Sequence, residues 1–351
     1  MRPVRAFALT KSDATTEVQG ELYNALPFEW TPHGGHPETA RAAAALWMLA
    51  SRNTSSPASI LGVHIGDSSH METEKLLLKI CKHDVYLGNE RTALSLLMAV
   101  CEARTTAFVA EQMRLANASD HVSHTMGCAI DAASGTIVMA LKWLPPYVGA
   151  WSTPPHSPTV LHTFADMLRN IQCVPEHVWR STLLQILDTL ATLQMHIPHF
   201  MHNDLKPENI VLTQQPNTDH PRAVIIDFEA SYSTDPRGCS PLFIPHAAPV
   251  GYMEKFGLYP LFCAFSDQYL VFACAWRAIK AQAPPWAHAF VQFASRVFPP
   301  QLFDLSRNAA CVRKDTLRLT RKGREVVQAA WREGKALTPR GACEDAYFSV
   351  F

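Results

Sequence analysis

Apolar residues between 176 and 195 recur at helical spacing, with Leu183, Ile186, Leu187, Leu190 and Leu193 on one stripe. This periodicity predicts a long amphipathic helix over 176–195, the clearest in the chain. A second helix is predicted near 89–104, where Leu94, Leu97, Met98 and Cys101 share a face. Further helices are expected over 37–51, 265–282, 290–298 and 323–333. Strand patterns lie elsewhere. Runs rich in Ile, Leu and Val predict strands over 59–66, 76–81 and 136–143, with a further strand at 124–130. Asp67-Ser68-Ser69-His70 separates the first two as a turn. The short apolar runs 210–212 and 224–226 read as buried strands.

Strands therefore concentrate before residue 143 and helices after it, which predicts an α+β fold with a strand-rich part followed by a helical part. The stretch 145–158 is dense in Pro, Ser and Thr and reads as a linker. The expected organisation is an N-terminal extension at 1–57, a strand-rich unit at 58–143 and a helical unit at 144–351, with the hinge at 142–158.

Composition narrows the classes. The chain has 351 residues, of which 48% are hydrophobic and 18% charged, so it can bury a large core and is not of disordered type. Lys and Arg number 31 and Asp and Glu 31, leaving no net charge, which argues against nucleic acid as the main ligand. Arg313, Lys314, Arg318, Arg321, Lys322 and Arg324 form a local basic run, read as a solvated helix face. The nine cysteines include no Cys-x-x-Cys pair, so they are expected to be reduced thiols inside a cell. The apolar stretch 259–276 is broken by Ser266-Asp267-Gln268, and no membrane span or signal peptide is expected.

The chemistry concentrates after the long helix, in His202-Asn203-Asp204-Leu205-Lys206-Pro207-Glu208-Asn209, followed by Asp227-Phe228-Glu229. These strings resemble the catalytic loop H-R-D-L-K-P-x-N and the metal-binding D-F-G of the eukaryotic-type protein kinase superfamily. The resemblance implies a two-lobed kinase-like fold and an ATP- and Mg²⁺-dependent Ser/Thr protein kinase acting on protein substrates. Asp204 would orient the acceptor hydroxyl, Lys206 would reach the γ-phosphate, and Asn209 and Asp227 would hold Mg²⁺. Upstream, Lys79 resembles the strand lysine that pairs the α- and β-phosphates. Glu90 would be its helix partner, with Glu102 as the alternative. Gly62 and Gly66 would stand for a degraded glycine-rich loop, and Leu141 and Trp143 would line the nucleotide site. Asp267 resembles the buried aspartate that holds the catalytic-loop backbone.

The chain also departs from the family pattern. Asn203 replaces the Arg that senses a phosphorylated activation loop, so phosphorylation at Ser231, Ser233 or Thr234 is expected to have little effect on activity. Glu229 replaces the Gly of D-F-G, and no G-x-G-x-x-G sequence occurs. A retained catalytic loop amid eroded surroundings is similar to kinases of large DNA viruses, including herpesvirus-type ones. Two other readings stand beside it: a pseudokinase that binds nucleotide or scaffolds, and a small-molecule kinase of the aminoglycoside or choline type. His196, His199 and His202 recur every third residue, but Pro198 interrupts the helix between them, so a shared zinc-binding face is not expected.

Overall fold

The computed structural model describes the backbone of residues 4–9, 17–20, 29–32, 58–65, 74–82, 90–131, 136–142, 144–145, 147, 162–215, 218–239, 262–304 and 309–349. Side chains are described from residue 102 onward within those ranges, apart from 126–138 and 140. The expected helix at 37–51, the turn at 67–70, Gly66, Trp143 and most of the hinge lie outside the described residues.

The architecture is mixed helix and sheet, an α+β fold. Strands β1 (Val4–Leu9), β2 (Glu17–Gly20), β3 (Glu29–Pro32), β4 (Ala58–Ile65), β5 (Glu74–Lys82), β6 (Thr125–Asp131) and β7 (Thr136–Lys142) form one seven-stranded sheet. Its order is β2-β1-β4-β5-β7-β6-β3, and every pairing is antiparallel. Helix α1 (Glu90–Leu115) lies between β5 and β6 in the chain. It runs well past the 89–104 segment that the apolar spacing predicted. Thr105-Thr106 blur the period, yet both are buried, as are Phe108, Val109, Ala110 and Met113 on the following turns. Those four join the main core, so tertiary burial extends the helix where the pattern alone fades.

The rest of the described chain is helical around a small sheet. Strands β8 (His162–Thr163), β9 (Ile210–Gln214) and β10 (Pro221–Ile225) pair in the order β10-β9-β8. Helices α2 (Phe164–Arg169), α3 (Glu176–His196), α4 (Ser266–Gln282), α5 (Ala287–Val297), α6 (Arg321–Arg332) and α7 (Pro339–Cys343) pack around it. Thr163 caps α2 in a reciprocal capping box with Asp166. The predicted stripe of α3 is wholly buried: Leu183, Ile186, Leu187, Leu190 and Leu193 each show 0% exposure. Trp179 on the same helix stacks between Phe164 and Trp286 at centroid distances of 5.6 and 5.3 Å. The start of the expected linker is anchored, since the Pro145 carbonyl accepts from Gln214 N at 3.0 Å and Tyr147 N donates to Leu212 O at 3.2 Å. Among the described residues no helix is long and apolar enough to cross a membrane.

The basic run at 313–324 is not one solvated face, contrary to the expectation from composition. Arg313 pairs with Asp315 and Arg321 with Glu325, while Arg324 is 8% exposed. Arg318 bonds to Asp204. Residues 311–320 form a tight turn back on themselves, with Val312 bridged to Leu319, and only Arg321 onward is helix.

Gly323, in the first turn of α6, is needed for a close approach. A Cβ there would lie 2.0 Å from the Cys311 carbonyl oxygen and 3.0 Å from Leu319 Cδ2. Gly-to-Ala in a helix ordinarily stabilises by about 0.4–1 kcal/mol. Here Gly323→Ala is expected to destabilise by about 1–3 kcal/mol, because backbone must move to relieve the overlap. Urea unfolding of both chains measures the sign; a stabilised alanine variant would refute the contact.

Candidate active site

The loop after α3 is held from below by one carboxylate. Asp267, in the first turn of α4, is 2% exposed. Its Oδ2 accepts from His202 N at 2.6 Å and its Oδ1 from Asn203 N at 2.8 Å. Burial pushes this carboxyl above its usual range, opposed by His202, the two backbone N–H groups and the Arg324 charge. Asn203 takes φ +62°, a left-handed conformation that Asn tolerates better than most side chains. Its Nδ2 donates to Ala230 O at 3.2 Å, tying the loop to the segment after Asp227.

His202 lies 2.9 Å by its Nε2 from the Ile226 carbonyl, which can only accept. Its Nδ1 accepts from Asp204 N at 3.4 Å. Both contacts select the Nε2–H tautomer, so the histidine is a strut between two loops. It is buried. Phe228 packs on its ring at 5.0 Å.

These struts place the chemical groups. Asp204 Oδ2 accepts from Lys206 Nζ at 2.8 Å and from Asn209 Nδ2 at 3.3 Å. Asn209, in the short turn Pro207–Asn209, also donates to the Asp204 carbonyl at 2.9 Å. The donor end of this amide is thus turned to Asp204, and its carbonyl oxygen is the end suited to a cation. The Asn209 backbone carbonyl accepts from Ile226 N at 3.0 Å, which brings the segment bearing Asp227 alongside. β9 and β10 provide the rigid base, pairing Ile210 with Ile225.

Asp227 sits at φ +69°, ψ +62°, a left-handed conformation rare for a residue with a Cβ. Its carboxylate, that of Glu229 and that of the buried Glu102 on α1 offer oxygens all within 4.8 Å of one another. The Glu at the Gly position therefore faces the same point as Asp227. Such hard oxygen donors suit Mg²⁺.

The expected nucleotide residues are placed unevenly. Glu90 opens α1, twelve residues and so about 18 Å along the helix axis from Glu102. The glutamate that meets Asp227 is Glu102. Lys79 pairs with Met139 across β5 and β7, and paired residues of an antiparallel ladder share a sheet face. Met139 and Leu141 pack on Ala103 of α1, so the register puts Lys79 on the face that α1 covers beside Glu102. Gly62 lies inside β4, within the predicted strand 59–66, paired with Phe7 on one side and Leu77 on the other. A glycine within two ladders cannot form the bend of a phosphate loop.

Ser231 and Ser233 are 0% and 3% exposed, and their hydroxyls donate to Gly238 O and Pro198 O at 3.3 and 2.9 Å. Neither site admits a phosphate without unpacking. Any activity of the chain is therefore expected to survive in Ser231→Ala and Ser233→Ala; an inactive but folded variant would reverse that expectation.

Arg318, which composition had put on a solvated face, bonds to Asp204 Oδ1 from 114 residues away. No motif or spacing signals such a contact. Comparison of the chain with protein-family models and with curated proteins finds no match.

Proposed function

We propose that this protein is a protein kinase-type phosphotransferase, moving the γ-phosphoryl group of ATP to Ser or Thr hydroxyls of a protein substrate. One observation carries the reading: Asp204, Lys206 and Asn209 are hydrogen-bonded into a single cluster, and the Asn209 backbone is bonded to the residue preceding Asp227. The strand-rich and helical parts would be the two lobes, with the nucleotide between them. Asp204 would accept the hydrogen bond of the substrate hydroxyl and aim it in line, and Lys206 would follow the phosphoryl group. Asn209 and Asp227 would hold Mg²⁺, with Glu229 as an added oxygen ligand; the ion would neutralise the phosphate charge. Lys79 would pair the α- and β-phosphates, steadied by Glu102.

Two features favour a second reading, a nucleotide-binding module without transfer. Gly62 is in a ladder, and Glu229 adds charge where the family has Gly. Incubation with Mg²⁺, labelled ATP and a generic basic protein separates the two. Label in protein supports the kinase; ATP binding without label supports the module; label only in small amines or sugars supports a small-molecule kinase.

A further inference from the structure

We propose that Arg318 is a positioning residue for Asp204, taking over from a distant part of the chain the task of fixing the proposed base. This inference rests on the kinase reading above. Arg318 bonds to Oδ1 while Lys206 holds Oδ2, so both oxygens of the carboxylate are gripped. Oδ2 is filled by Lys206 and Asn209, and Oδ1, beside Arg318, keeps a further lone-pair direction for a substrate hydroxyl. The planar guanidinium fixes the orientation of a carboxylate better than the point charge of an ammonium group.

The segment that delivers Arg318 is built for the purpose. Arg313 N donates to Arg318 O, Leu317 N to Arg313 O and Thr320 N to Cys311 O, each at 2.8 Å. Val312, Leu317 and Leu319 are 1%, 6% and 2% exposed, anchoring the turn in the main core on either side of the arginine. Leu317 is held at φ +57°, a strained conformation for a leucine, directly before Arg318. Side-chain exposure is 17% for Arg318 and 21% for Asp204, so the pair is only partly screened by solvent. A turn tied down in this way does not swing out to release a substrate site, which separates it from a removable plug.

The test uses the full chain with Mg²⁺, ATP and a generic basic protein, comparing wild type, Arg318→Met, Arg318→Lys and Asp204→Asn. The expected result is a fall in kcat of about 10–100-fold in Arg318→Met with an unchanged KM for ATP, because a loosened carboxylate loses transition-state orientation and not nucleotide contacts. Arg318→Lys should recover part of the loss, as should added guanidinium ion in the methionine variant. A kcat in Arg318→Met equal to or above that of wild type overturns the inference, as does a loss confined to KM. If the methionine variant does not fold, Arg318→Gln, close to it in shape and also neutral, is read by the same criteria. A wild type as inactive as Asp204→Asn sinks the kinase reading together with the inference; an active wild type with unimpaired Arg318→Met sinks the inference alone.

Discussion

Asp204→Asn is expected to lower phosphoryl transfer by about 10²–10⁴-fold while leaving ATP affinity within a few-fold of wild type. The side chains are nearly isosteric, and the amide oxygen can still accept from Lys206 or Asn209. The negative charge is lost, however, and with it the group that aims the acceptor hydroxyl at the phosphorus. The other phosphate and metal contacts are assigned to Lys79, Asn209 and Asp227; of these Asn209 is bonded to the Asp204 side chain, by a bond that the amide oxygen can still accept. Steady-state kinetics with protein substrate, together with nucleotide titration followed by fluorescence, measures the two quantities separately. Retention of more than a tenth of wild-type kcat would remove Asp204 from the role of base. Loss of both activity and ATP binding would point to collapse of the loop.

Asp267→Ala is expected to be the most damaging single change to stability. It strips the acceptor from His202 N and Asn203 N, two buried donors. At about 1–3 kcal/mol per unsatisfied buried donor, the loss is about 2–6 kcal/mol, a large part of the stability of an ordinary domain. Asp267→Asn, which keeps one acceptor oxygen, should lose about half as much. Because burial raises this carboxyl in the folded state, the part of its contribution that depends on protonation is fully present below the ordinary aspartate range and is lost as pH rises through the higher folded value. The pH dependence of unfolding in that window should therefore flatten in Asp267→Asn. Chemical denaturation across pH 3–8 checks both points, and an alanine variant as stable as wild type would deny the carboxylate its structural role.

These two residues were legible in the sequence because their signals are local. The catalytic-loop string brings Asp204, Lys206 and Asn209 within six residues, so short-range geometry alone keeps them together. Asp267 follows an apolar run and opens a helix. The stripe of α3 was equally plain, since a period of 3.6 residues is imposed by the helix itself. Signals that depend on register or long-range packing were weaker. The strand over 59–66 was plain, but that Gly62 within it is paired on both sides was not, because a residue's partners across a ladder are not written in its own segment. That Glu102 of α1 meets Asp227 and Glu229 depends on how the helix packs, which its own period does not show.

By itself, then, the sequence determined the α+β order of elements, the long helix, the strand pair β9 and β10 and the grouping of Asp204, Lys206 and Asn209, all of which follow from contacts between near neighbours. Only the tertiary structure decided that Glu102 and Glu229 meet Asp227, that Lys79 lies on the face covered by α1, and that Arg318 reaches Asp204. Apart from the neighbouring Glu229 and Asp227, those meetings join segments separated by 20 to more than 100 residues, and their partners are selected by which surfaces the core brings together, a quantity that no local pattern encodes.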